Sequence, residues 1–218
     1  MAELKFCGLT RAADAALVPR LGGSFAGAIF AGGPRTLTAA KAREVFAPLS
    51  GTGVRRVGVF GAASLDEIDA IAVTVGLDVL QLSGAVTFDT CVVLRARFAG
   101  EIWPVVRIRP DAGGLPSAVA AWYEHGADAV VLDARVEGRL GGTGVALDWA
   151  AIAGDVAKLR AHGRVVLAGG LRPDTVARAV SVVVPDVVDV SSGVERTPGI
   201  KDPELMRAFA AAIGAHEV

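Results

Sequence analysis

Short apolar runs rich in Val, Ile, Leu and Phe recur along the chain, separated by longer stretches whose apolar residues repeat three and four positions apart. The predicted strands are LKFCGL (4–9), FAGAIF (25–30), RRVGVFG (55–61), VLQLSG (79–84), EIWPVVRI (101–108), DAVVLDA (128–134), RVVLAGG (164–170) and VVDVSSG (187–193). Helices are predicted between them. In SLDEIDAIAVTVG, Ser64 is an N-cap, Glu67 completes a capping box and Gly76 ends the helix; LPSAVAAWYEHGA stops at Gly126. Strands apolar on both faces belong in a parallel sheet covered by helices. Eight such βα units predict one α/β domain over residues 1–218, a (β/α)8 TIM barrel with its active site at the C-terminal ends of the strands. The alternative, an open doubly wound sheet, is weakened because no G-x-G-x-x-G follows the first strand.

Composition narrows the function classes. Hydrophobic residues make up 52% of the 218 positions and mean hydropathy is +0.49, but the excess is Ala and Val, and no apolar run approaches the roughly 18 residues of a membrane span. A net charge of −1 with scattered basic residues argues against nucleic acid as a partner. Glu3 and Lys5 interrupt any signal-like start, and two cysteines make no disulfide framework, so a reducing cytoplasm is expected. His125, His162 and His216 show no metal-ligand spacing with Cys or carboxylates, and no metal is expected.

On the barrel assignment, Cys7, Arg35, Gln81, Ser83, Arg107, Arg109, Asp133, Gly169, Gly170 and Ser191 to Gly193 converge on the catalytic rim. LAGGLRPDTV after strand 7 and DVSSGVE after strand 8 form adjacent Gly-rich turns whose backbone N–H groups would cradle a phosphate. RVEGRLGGTGVALDW after strand 6 is a long Gly-rich loop, expected to close over substrate as a lid. Asp133 ends an otherwise apolar strand, where an unpaired carboxylate is costly unless it has a function. Cys91 falls in a helical stretch and is expected only to pack. Lys5 and Cys7 share one strand face, about 6.6 Å apart along the strand. If strand 8 closes the barrel against strand 1, Lys5 meets Asp189 and lies beneath Cys7, where its charge favours the thiolate.

In order along the chain, KFCGLT, GGPR, LQLSG, VLDA with GGTG behind it, LAGGLRP and VDVSSGVERTPGIKD resemble the phosphoribosylanthranilate isomerases of tryptophan biosynthesis. The resemblance implies a cofactor-free Amadori rearrangement of a phosphorylated sugar substrate, N-(5-phosphoribosyl)anthranilate, to 1-(2-carboxyphenylamino)-1-deoxyribulose 5-phosphate. Carried over by motif, Asp133 is the general acid and Cys7 the general base. Arg35 would hold the anthranilate carboxylate, and Gln81, Gly142, Gly144, Gly169, Gly170, Ser191, Ser192 and Gly193 would complete the substrate site. A monomer or homodimer is expected. Two positions depart from the family pattern: Ser83 stands where histidine is common, and Pro104 where lysine is common. The related barrel isomerase of histidine synthesis places a carboxylate at the position of Cys7, which argues against that activity or a dual-substrate version. A non-catalytic sugar-phosphate binder would not need both Cys7 and Asp133.

Overall fold

The computed structural model describes residues 1–109, 112–134 and 147–214. Eight parallel strands form a closed barrel in sequence order: β1 (Glu3–Phe6), β2 (Phe25–Ile29), β3 (Arg55–Phe60), β4 (Val79–Leu82), β5 (Glu101–Ile108), β6 (Ala129–Ala134), β7 (Arg164–Leu167) and β8 (Val187–Val190). The ring is completed by β1 pairing with β8, in a register that sets Lys5 opposite Asp189. Each strand was predicted. Most end a few residues earlier than their apolar windows, because Cys7, Ser83 and Gly169 lie beyond the ladder, where the chain turns over the rim.

The interior follows from the two-residue repeat of a strand. The first residues of the odd strands, Glu3, Arg55, Glu101 and Arg164, close the N-terminal end with alternating charge. Arg55 bridges Glu3 (3.1 Å) and Glu101, while Arg164 bridges Glu3 and Glu101 (3.5 Å). Above them, Phe25, Val57, Val79, Trp103, Ala129, Val166 and Val187 fill the barrel. The Phe25 and Trp103 rings meet edge-on at 4.8 Å, and the Trp103 indole N–H donates to Glu101 at 2.8 Å. Alternate strands contribute alternate layers, as expected of this fold.

Helices cover the outside: α1 (Ala12–Ala15), α2 (Leu17–Arg20), α3 (Ala39–Phe46), α4 (Leu65–Val75), α5 (Phe88–Arg97), α6 (Ala121–Glu124), α7 (Trp149–Leu159), α8 (Val176–Val183) and α9 (Pro203–Ala212). At α4 the Ser64–Glu67 capping box and the left-handed Gly76 stop are both present, and Cys91 is buried in α5. LPSAVAAWYEHGA departs from the expected helix: a 3-10 turn over Ser117–Ala120 precedes the single turn of α6.

Three aspartates set the register at the lower rim. Asp78, Asp128 and Asp186 each precede an even strand, and each grips one residue of the odd strand before it twice. Their N–H groups donate to the carbonyls of Arg56, Ile102 and Val165 at 2.9, 3.0 and 2.9 Å. Their carboxylates accept the N–H groups of those same residues at 2.7, 2.8 and 2.9 Å. Because the Ile102 N–H faces Asp128 on the β6 side, the alternation of donors along β5 places the N–H that Pro104 lacks on that side too. The paired register between β5 and β6 begins at Val105, directly after this missing donor.

Candidate active site

At the C-terminal end of the strands a cavity of about 860 Å³ opens, lined by Cys7, Arg35, Gln81, Asp133, Gly169 and Ser191 among others. Of the other rim residues expected from the sequence, Ser83, Gly170, Ser192 and Gly193 also line it; Arg107 does not line it but contacts Ser83 and Asp133, which do, and Arg109 lies away from it beside Ala112 and Gly113. Gly142, Gly144 and most of the proposed lid lie outside the described residues, as does His216. Among the described residues, no group of three or more His, Cys, Asp or Glu is arranged to hold a metal.

Cys7 follows β1 and is 5% exposed, its N–H donating to the Val190 carbonyl at 2.8 Å. Lys5, one layer below, is wholly buried and donates to Asp189 Oδ2 at 2.7 Å, the pairing expected from closure of the barrel. Burial raises the Cys7 thiol above its ordinary pKa; Lys5 and, more weakly, Lys201 pull it down, Asp189 opposes them, and the net direction is up. Lys5 therefore favours the thiolate as expected, without cancelling the effect of burial.

Asp133, the penultimate residue of β6, lines the same cavity. Burial pushes its carboxyl up to about 6; the Arg107 guanidinium works against this and the Asp189 charge adds to it. Arg107 Nη1 lies 3.5 Å from Asp133 Oδ2, and its Nη2 donates to Ser83 Oγ at 2.9 Å and to the Ser83 carbonyl at 3.1 Å. Ser83, one of the two departures from the family pattern, thus anchors the cation beside the acid. Gly169 adopts φ +83°, and a Cβ there would come within 2.8 Å of Asp133 Oδ1, so only glycine lets the β7 turn pass this close to the carboxyl.

The cavity floor and its β8 edge carry polar atoms without partners among the described residues: Gln81 Oε1, Asp189 Oδ1 and Ser191 Oγ are all buried and unpaired. Buried acceptors and hydroxyls left this way call for polar ligand groups or water. Arg35 enters from the loop after β2 and is 16% exposed. Its Nε and Nη2 both donate to Glu195, at 2.8 and 2.6 Å. Glu195 and Lys201 were missed as site residues in the sequence. They lie in the quoted segment VDVSSGVERTPGIKD, but a hairpin of three and two residues, β9 (Glu195–Thr197) with β10 (Ile200–Lys201), has no readable periodicity.

A closed parallel barrel with its polar groups gathered at the strand C-termini defines a (β/α)8-barrel enzyme. Residues 4–212 match the family model described as N-(5'-phosphoribosyl)anthranilate (PRA) isomerase, and the chain belongs to that family. It is 39% identical over 212 residues to the N-(5'-phosphoribosyl)anthranilate isomerase of Pseudomonas aeruginosa strain LESB58, an alignment covering 97% of this chain and 94% of the relative. Among solved structures it resembles a monomeric form of the dimeric phosphoribosylanthranilate isomerase of Thermotoga maritima, with TM-score 0.79, 29% identity, and 98% and 99% of the two chains covered. It also resembles a phosphoribosylanthranilate isomerase in complex with reduced 1-(o-carboxyphenylamino)-1-deoxyribulose 5-phosphate, with TM-score 0.79, 28% identity and the same coverage.

Proposed function

We propose that this isomerase, one barrel domain spanning the chain, converts N-(5'-phosphoribosyl)anthranilate to 1-(2-carboxyphenylamino)-1-deoxyribulose 5-phosphate in tryptophan biosynthesis, with Asp133 as acid and Cys7 as base. Asp133 gives its proton to the furanose ring oxygen as the bond from C1 to that oxygen breaks. The anilino nitrogen lone pair then forms the C1=N bond of a Schiff base. The Cys7 thiolate takes the C2 proton, and the electrons of that bond make a C1=C2 enol-amine, which ketonises by protonation at C1. Hydrogen moves from C2 to C1 within one molecule, so the balance needs no redox cofactor.

The observation that carries this reading is the environment of Asp133, buried enough to stand near 6 and therefore able to hold a proton close to neutral pH. Arg35 takes the anthranilate carboxylate, the Gly169–Gly170 turn and Ser191 to Gly193 take the phosphate, and Gln81 Oε1 accepts a sugar hydroxyl. Two serines and three glycines in adjacent turns suit a phosphate because they bring N–H and O–H donors close without bulk. Gly142 and Gly144 are proposed to close over the bound substrate.

We place this activity in the cytoplasm, in a monomer or homodimer. Among the described residues no helix is long and apolar enough to cross a membrane. The test is direct: the anthranilate adduct is fluorescent, and its signal should decay on adding enzyme to freshly made substrate. A signal that persists, with the protein folded, would refute the activity.

A further inference from the structure

The sequence RTPGIKD folds back on itself, and the register of β9 with β10 sets Lys201 opposite Glu195. Lys201 is wholly buried, and its ammonium donates to Glu195 Oε1 at 2.8 Å and to the Ser191 carbonyl at 3.0 Å. The Lys201 N–H reaches Asp14 at 3.3 Å, and Arg11 pairs with the same carboxylate, which ties the hairpin to α1. Glu195 is 4% exposed and receives three charge-assisted hydrogen bonds, two from Arg35 and one from Lys201. Burial alone would raise its carboxyl, but Arg35 and Lys201 outweigh burial and hold it below its ordinary value.

A guanidinium has a side edge, Nε with one Nη, and an end edge formed by the two Nη groups. Glu195 takes the side edge of Arg35. Nη1 makes no hydrogen bond among the described residues, and Arg35 lines the cavity. The Cδ of Arg35 packs so closely against Gly8 that a Cβ there would come within 2.7 Å of it, so the stem is confined as well as the head.

We propose that Glu195 is the positioning residue for Arg35, holding the guanidinium so that its end edge faces the aryl carboxylate of the substrate. Lys201 joins this anchor to the Ser191 carbonyl at the start of the phosphate turn, so the two anion-binding ends of the cavity are held at one spacing. The proposal rests on the assignment of Arg35 to the substrate carboxylate.

A kinetic cycle over Glu195→Gln, Arg35→Ala and the double variant tests it. An unaligned guanidinium weakens a contact that persists from ground state to transition state, so Glu195→Gln should raise KM about tenfold and change kcat less than about threefold. In the Arg35→Ala background the same substitution should raise KM no further. Ribose 5-phosphate, which carries the phosphate but no aryl carboxylate, should inhibit wild type and Glu195→Gln with equal Ki. If Glu195→Gln strands the Lys201 ammonium and unfolds, Glu195→Gln with Lys201→Met removes that charge and should show at least that rise in KM, because it also cuts the tie to the Ser191 carbonyl. Additive KM effects, or a ribose 5-phosphate Ki that rises with KM, would overturn the proposal. An unchanged KM in Arg35→Ala alone would overturn the carboxylate assignment beneath it. A raised KM in Arg35→Ala with a normal Glu195→Gln would overturn the positioning role only.

Discussion

Replacing Lys5 by Met tests the internal charge pair on which the barrel closes. The ammonium is 0% and the Asp189 carboxylate 6% exposed, at 2.7 Å, and Asp189 Oδ1 has no partner among the described residues even with the lysine present. Removing the cation leaves a buried carboxylate unmatched, which costs roughly 3–5 kcal/mol, whereas removing both charges to apolar groups of similar volume costs far less. In a chain of this size each kcal/mol moves Tm by about 2–4 °C, so Lys5→Met should melt some 6–20 °C lower. Lys5→Met with Asp189→Leu should regain more than half of that loss. Burial lowers the Lys5 pKa, but Asp189 and Cys7 together outweigh it, so its folded value is raised above 10.5. A raised cation pKa contributes stability that is complete at neutral pH and lost only as pH climbs through the folded value. The wild-type advantage should therefore persist at pH 7–9 and fade only in stronger alkali. Urea midpoints on the four proteins of the cycle measure the coupling. The two single losses adding up in the double variant would show that the residues do not interact, and the reasoning from β1–β8 closure to site map would fail with it.

Four further outcomes are expected. Cys7→Ala and Asp133→Asn should each lower kcat by at least 10²–10⁴-fold with the fold retained by circular dichroism; near-normal turnover in either would remove that residue from the mechanism. The kcat/KM profile should fall on the acid side below about pH 6, where Asp133 titrates, and on the alkaline side above the ordinary thiol range, where Cys7 does; an acid limb near pH 4 would contradict the burial argument. Because the Asp133 pKa rises from 3.8 to about 6, its titration leaves folding unaffected below about pH 4 and opposes it increasingly up to about pH 6, so Asp133→Asn should add up to about 3 kcal/mol at pH 7 and little at pH 4, read from denaturant midpoints at both. Val184 ends α8 in the left-handed region at φ 52°, a strained conformation for an exposed β-branched residue, so Val184→Gly should raise stability by about 1 kcal/mol, and a lower Tm would refute the strain.

The pH profile carries a mechanistic corollary. In the proposed roles, an acid near 6 and a base that burial holds above its ordinary value mean that the free enzyme at neutral pH is mostly Asp133 carboxylate with Cys7 thiol. The reactive form, with both protons the other way, is then the minority form, and the limbs belong to the coupled pair rather than to either residue alone. Lys5 works against that deficit by pulling the thiol downward.

The parts legible in the sequence were those that depend on local repetition. Eight β-branched runs between helical stretches specify a parallel barrel, and the fold then places Cys7, Asp133 and the glycine turns at one end without further information. Lys5 with Asp189 was also legible, because two lone charges at inward positions of the first and last strands have few other partners. The Asp78, Asp128 and Asp186 clamps were not, since an aspartate at a strand entrance looks like a solvated turn residue until its backbone partner is known. Glu195 and Lys201 escaped for a related reason: they are oriented by a hairpin too short to leave a pattern and by Arg35, 160 residues away in sequence. LPSAVAAWYEHGA misled because its apolar residues suit a helix, whereas the chain makes a 3-10 turn and then only one α-helical turn.

The ring of strands also has a history in time. Lys5 leaves the ribosome 184 residues before the aspartate that neutralises it. At about 5–20 residues per second that interval is roughly 10–40 s. Throughout it β1 has β2 on one side and, on the other, a bare row of amide and carbonyl groups of the kind that recruits foreign strands. A transcript truncated before β8 should therefore yield a product that associates through the free side of β1. A permuted gene that joins residue 218 to residue 1 and begins between β4 and β5 would shorten the wait for the Lys5 partner and hand the free edge to β5, so the aggregation-prone side should move with it.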